Sequence, residues 1–122
     1  MKRELVDFEI YSRNLKELKK KFNNVVNDIE NICQEVALNP THLAKPIPAF
    51  HGKLWKIRIR SSDMKKGKSG GFRMIFYYNE DAPNKIYRLA VYIKAEREDL
   101  SPREMQLLYK RFMEYLKGSS QK

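Results

Sequence analysis

Three cations alternate with apolar residues in Leu54-Trp55-Lys56-Ile57-Arg58-Ile59-Arg60. On an extended chain this spacing puts Lys56, Arg58 and Arg60 on one face, about 7 Å apart, and Trp55, Ile57 and Ile59 on the other. Like charges in a row repel one another, so the arrangement becomes favourable when an anion lies against it. The chemistry that fits is phosphate binding. The stretch from Lys53 to Arg73 holds eight of the 25 basic residues against one acid, Asp63, and carries +7 of the net charge of +10. A polyanionic partner follows from that concentration, and a solvated surface loop is the plainer alternative.

The cations continue beyond the strand. Ser61–Gly71 reads as a loop whose Lys65, Lys66 and Lys68, with Arg60 before them, are candidate phosphate contacts. Its Gly67-Lys68-Ser69 run is not a nucleotide-binding loop. Ser62 stands where that pattern needs a glycine, and a strand, Phe72–Tyr78, follows where it needs a helix. Arg73 opens this strand on the side shared with Ile75 and Tyr77. A third strand, Lys85–Lys94, ends on a cation, with Tyr92 two residues earlier on the same face. His42, His51 and Cys33 are scattered without metal-ligand spacing, so neither a metal nor another cofactor is expected. His51, alone in a loop, reads as structural or merely exposed, with a general base as the alternative.

The elements that must position these groups are legible in outline. At 122 residues, 42% hydrophobic and 11% aromatic, the chain fits one domain, 1–122, with a polar tail at 118–122. No apolar run reaches the ~20 residues of a membrane span, and a single cysteine agrees with a reducing compartment, so a cytoplasmic protein is expected. Glu4–Tyr11 reads as a strand. From Ser12, a candidate helix cap, Leu15, Leu18, Phe22, Val25, Ile29, Ile32 and Val36 recur at helical steps until Asn39-Pro40. One helix over 13–38 would be about 39 Å long, more than a domain of this size spans. A break at Asn23-Asn24 is therefore expected, giving a helical hairpin laid on a sheet; one long coiled-coil helix is the competing reading, since the heptad spacing runs through the Asn pair without slipping. Thr41–Gly52 reads as a proline-punctuated linker. Ser101-Pro102-Arg103-Glu104 marks the start of a last helix running to about Lys117. The expected fold is α+β: a strand, two helices, a three-stranded antiparallel meander and a C-terminal helix, with four strands in the sheet.

This order, with its basic sheet face, resembles the RelE/ParE superfamily of bacterial type II toxins, and its HigB-like branch most. The resemblance rests on Leu54-Trp55-Lys56-Ile57-Arg58, on Gly67-Lys68-Ser69-Gly70-Gly71-Phe72-Arg73, and on Val91-Tyr92-Ile93-Lys94 through Glu96 to Asp99-Leu100-Ser101. It is dense over 53–104 and topological over 1–52. It implies a toxin that cleaves mRNA in the ribosomal decoding site and is held inactive by a cognate antitoxin. The RNA 2′-OH would supply the nucleophile. Carried over by residue, it implies that Lys56 and Arg58 contact or activate RNA, that Arg73 binds the scissile phosphate, and that Lys94 adds a further cationic or catalytic group. Where other members carry an arginine after the last strand and a tyrosine beyond it, this chain has Ala95 and Leu100. The proton-transfer group is therefore open among Tyr92, Glu96 and Glu98. Two other readings remain, a ParE-like inhibitor of DNA gyrase without nuclease activity and a non-catalytic RNA-binding module. If the cationic stretch contacts phosphates, affinity for RNA will fall steeply between about 50 and 200 mM salt; a flat titration would refute that role.

Overall fold

Asn23 and Asn24 divide the long apolar stripe into two helices. The computed structural model describes residues 2–64, 70–97 and 99–120, with backbone alone for Ser119 and Ser120. Its elements run β1 (Glu4–Asp7), α1 (Glu9–Lys21), α2 (Val25–Leu38), β2 (Lys45–Pro46), β3 (Leu54–Ile59), β4 (Phe72–Tyr77), β5 (Lys85–Ile93) and α3 (Pro102–Ser120). At the hairpin, the first orphan amide of α2 finds a partner in a distant loop. Asp63 accepts from the Asn24 backbone N–H at 2.8 Å and from its side-chain amide at 3.0 Å. The one acid of the basic stretch thus ties the root of the loop to a helix start. Asp28, one turn into α2, holds the neighbouring Ser62 by its backbone N–H at 2.9 Å and its hydroxyl at 2.9 Å.

The sheet has the order β1-β5-β4-β3-β2. The central three strands form the expected antiparallel meander, and β1 adds to β5 in parallel. Several boundaries differ from the sequence reading. The sheet has five strands rather than four, because Lys45 and Pro46 pair with Lys56 and Trp55 inside the stretch read as a linker. The first strand stops at Asp7. Phe8 occupies the N-cap position of α1, and Ser12, read as the cap, lies inside the helix and donates its backbone N–H to the Phe8 carbonyl. Burial explains the shift, since Phe8 is drawn under α3, where its ring meets Phe112 edge-on at 5.5 Å. The last helix also runs past Lys117 to Ser120, while its start has the expected reciprocal cap: Ser101 Oγ accepts from the Glu104 N–H and Glu104 accepts from the Ser101 N–H.

The sheet separates two cores. On one face α1 and α2 pack Tyr11, Leu18, Ile29 and Cys33 against Trp55, Ile57, Phe72, Met74 and Phe76. On the other, Met105, Leu108 and Phe112 of α3 meet Leu54, Ile75, Tyr77 and Leu89. All six residues of β4 are buried. At Ile75/Phe76 the pairing with β5 slips, so that Ile75 faces Ala90 and Phe76 faces Arg88. The extra residue lets Leu89 and Ala90 both join the core under α3. The apolar contacts of α3 gather at the Leu54–Tyr77 end of that face, and at the other end Arg58 is exposed. Among the described residues, no helix is long and apolar enough to cross a membrane.

Arg88 sits inside the first core, buried, and gathers three elements. Its guanidinium donates to Asp7 of β1 at 2.6 and 3.1 Å and to both oxygens of Glu30 of α2 at 2.8 and 2.9 Å. It also lies 4.9 Å from the centroid of the Tyr11 ring and 3.6 Å from Cys33 Sγ. Burial pushes the Cys33 thiol up to about 11, although Arg88 pulls the other way, so the cysteine is a packed core group rather than a nucleophile. At the exposed start of α3, the Arg97 guanidinium, followed by the Ser101 N–H, holds Glu104 down to about 2.

Two predictions follow from these charges. Replacing Arg88 with Met will strand two carboxylates and cost about 3 kcal/mol, read as a lower urea midpoint at unchanged slope; a change within ~0.5 kcal/mol would show that the network holds nothing together. Glu104 has a folded pKa below its unfolded value. Its contribution to stability is complete above about 4.5 and is lost as pH falls from there through about 2. The stability gap between wild type and Glu104→Gln will therefore close over that acid range. A gap independent of pH would contradict the assignment.

Candidate nucleic-acid interface

Strand register assembles the site. Arg58 of β3 pairs with Arg73 of β4, and Arg73 with Tyr92 of β5, so two arginines and a tyrosine form a row across three strands. Directly paired residues share a face, and Lys56 lies two residues from Arg58 on it. Arg73, read from the sequence as the phosphate ligand, has a side chain only 7% exposed. β4 is held on both sides by neighbouring strands and covered on both faces, so the backbone that carries this guanidinium is fixed by the core. Arg58 is exposed at the rim, and Lys56 lies between them in exposure.

A carboxylate that the sequence reading did not single out lies among these cations. Asp99 Oδ1 accepts from Lys56 Nζ at 3.0 Å and from Arg73 Nη1 at 3.2 Å. With Arg58 and Lys45, these three residues line a cavity of about 580 Å³ whose apolar wall includes Ile32, Leu43 and Ile57. One negative charge therefore bridges two of the cations expected to bind phosphate. In sequence Asp99 entered only as part of the run from Glu96 to Leu100-Ser101 that carries the resemblance. Its distance from the Ser101 cap is the feature that fixes it, since the helix start and the end of β5 together suspend residue 99 over the sheet. Tyr92 completes the row. Burial raises its pKa, the Asp99 charge adds to the rise, and Arg73 and Arg97 oppose it. At neutral pH its phenol is protonated, a donor rather than a base.

Gly71 sets the approach of β4 to β3. It has φ +106°, and a Cβ there would lie 2.4 Å from the Ile59 carbonyl oxygen, so a side chain is excluded both by conformation and by space. Its carbonyl accepts the Lys94 N–H at 3.1 Å, which places the end of β5 beside the start of β4.

The other residues read from the sequence are distributed differently. Arg60 is exposed just past β3, and Lys94 is half-buried just past β5. Glu96 pairs with Lys21 at the end of α1 at 3.7 Å rather than with any cation of the row. Lys65, Lys66, Lys68 and Glu98 lie outside the described residues. Among the described residues, no group of three or more His, Cys, Asp or Glu side chains gathers where a metal could be held.

With this geometry in view, the fold can be compared with known structures. A chain of the toxin-antitoxin complex RelBE2 from Mycobacterium tuberculosis superposes with a TM-score of 0.55 at 12% sequence identity, covering 76% of this chain and 99% of that one. The likeness is one of fold. No protein-family model matches the sequence, and no curated protein matches it. The mixed α+β architecture expected from the sequence is the observed one, with a fifth strand added.

Asp99 competes for the cations that an incoming phosphate would meet. Asp99→Asn will therefore tighten binding of a short single-stranded RNA by about three- to tenfold, measured by fluorescence anisotropy. Weaker binding in the variant would show that the carboxylate supports the site rather than occupying it.

Proposed function

We propose that this chain is the toxin of a type II toxin-antitoxin pair, of the RelE/ParE type and its HigB-like branch, and that it acts as a ribosome-dependent endoribonuclease on mRNA in the bacterial cytoplasm. The observation that carries this reading is the Arg58–Arg73–Tyr92 row with Lys56 beside it. Cations converge there at one end of the sheet on an open cleft that a single-stranded phosphodiester can enter, with the Tyr92 hydroxyl buried at the β5 end of the row. The fold likeness to a chain from a toxin-antitoxin complex supports it, and a cognate antitoxin is the partner it implies.

The chemistry asks little of the protein. The 2′-oxygen of RNA attacks the adjacent phosphorus and the bond to the 5′-oxygen breaks, leaving a 2′,3′-cyclic phosphate and a 5′-hydroxyl. Lys56 and Arg73 release Asp99 and take the non-bridging oxygens, where the transition state gathers charge, and Arg58 holds the phosphate from the rim. Tyr92 gives its proton to the departing 5′-oxygen. Asp99, displaced from the cations, is the carboxylate among the described residues that touches the row, and it accepts the proton of the 2′-OH. Lys94 adds positive potential at the end of β5. Arg60, with Lys65, Lys66 and Lys68, tracks the flanking backbone or ribosomal RNA, contributing affinity rather than chemistry.

Mapping new mRNA 5′ ends after induction in cells tests the proposal. Wild type will generate them at ribosome-covered sites, Arg58→Ala and Arg73→Ala will suppress them, and Tyr92→Phe will slow cleavage about 100-fold while RNA binding persists. Intact transcripts with accumulating DNA breaks would instead identify a gyrase inhibitor.

A further inference from the structure

Next to the cation row lies a second cleft, of about 430 Å³, between the chain that links β2 to β3 and the first turns of α3. The two cavities share Lys45, Lys56 and Asp99 in their walls, so they adjoin at one of the phosphate ligands, Lys56. Their linings differ. Pro46, Ile47, Phe50, Leu100 and Met105 make the second cleft predominantly apolar, and Gln106 is the uncharged polar side chain at its edge.

The wall formed by residues 47–53 is firmly built. The Ile47 N–H bonds to the Leu54 carbonyl at 2.9 Å and the Lys53 N–H to the Phe50 carbonyl at 3.0 Å, closing a tight excursion between β2 and β3. Ala49 at φ 76° and His51 at φ 58° both adopt the left-handed conformation that non-glycine residues avoid. Between them the Phe50 ring packs on Tyr109 of α3, with centroids 5.2 Å apart. Strain of this kind persists where the surrounding structure holds it. Here the result is to turn a proline, an alanine and a phenylalanine toward the first turns of α3, beside Lys56.

We propose that this cleft receives the nucleobase adjoining the scissile phosphate. The inference rests on the reading of the cation row as a phosphate site and adds a specificity pocket to it. A nucleotide joins a flat, apolar-faced ring to a phosphate through one sugar, and the chain presents the matching pair: an apolar slot walled by rigid Pro46, Pro48 and Phe50, next to Lys56. Single-stranded RNA is recognised largely by bases turned out of the stack into such surfaces, with a few polar groups reading the base edge. Gln106, carrying both a donor and an acceptor, is placed to do that reading.

The test uses an RNA trimer made uncleavable by 2′-deoxy sugars at its first and second residues, compared with trimers lacking the base at one residue. Binding is measured by NMR titration. For the wild-type protein, loss of one particular base will weaken binding at least about tenfold. In Gln106→Trp, which fills the cleft mouth from an exposed helix position, intact and abasic trimers will bind alike, at the wild-type affinity for the abasic one. Equal affinities for all trimers in wild type, with Arg58→Ala weakening every one, would leave the phosphate site standing and overturn the base pocket. A Gln106→Trp protein that keeps the full preference would also overturn it. If Arg58→Ala changes no affinity, the phosphate reading fails and the pocket falls with it.

Discussion

Arg58 and Arg73 stand directly opposite one another on adjacent strands, a pairing that costs free energy, and much of the rest of the fold serves to hold them there. A like-charge cross-strand pair is destabilising on its own. Arg73 cannot relieve it by swinging into solvent, because its strand is buried on both faces and hydrogen-bonded on both sides. The register is fixed by apolar residues that a one-place slip would turn to the wrong face: Trp55, Ile57 and Ile59 toward α1 and α2, Ile75 and Tyr77 toward α3. The two cores thus provide the free energy that keeps the cations together. The Asp99 carboxylate lowers the cost by bridging Lys56 and Arg73.

This division of labour explains why the helices are unequal. The α1–α2 hairpin covers its face of the sheet and is secured through Arg88, Glu30 and Asp7, so that face is fully committed to packing. The apolar side chains of α3 meet one end of the opposite face, where Leu54, Ile75 and Tyr77 are apolar. Where β3 and β4 switch to Arg58 and Arg73, the helix has ended, and the connection carrying Asp99 lies there in its place. Core, site and the carboxylate over the site are arranged along one surface of one sheet.

Much of this was legible before the structure, and what was missed has physical reasons. Two-residue alternation exposed the faces of β3 because that strand has one apolar and one cationic side. The Asn23-Asn24 break and the Ser101–Glu104 cap were readable because both are local signals. β2 was missed because two residues containing a proline carry no periodic signal. The extent of β1 was misjudged because Phe8 and Ile10 look like a continuing strand until the partner of Phe8 on α3 is known. β5 concealed its bulge, since Leu89 and Ala90 pass for ordinary alternation. Arg88 and Asp99 escaped for the same deeper cause: each acts through partners many residues away, Asp7 and Glu30 for one, Lys56 and Arg73 for the other, and no local pattern in the chain encodes such convergence.

The central claim is that the end of the sheet bearing Lys56, Arg58, Arg73 and Tyr92 is the surface that meets RNA. An NMR footprint tests it most directly, with amide and arginine side-chain signals followed while an uncleavable single-stranded RNA is added. The account predicts that the largest shifts fall on residues 56–58, 73 and 92 and on the connection around Asp99, with those of α1 unmoved. A footprint centred on the helical hairpin, with the cation row silent, would contradict it.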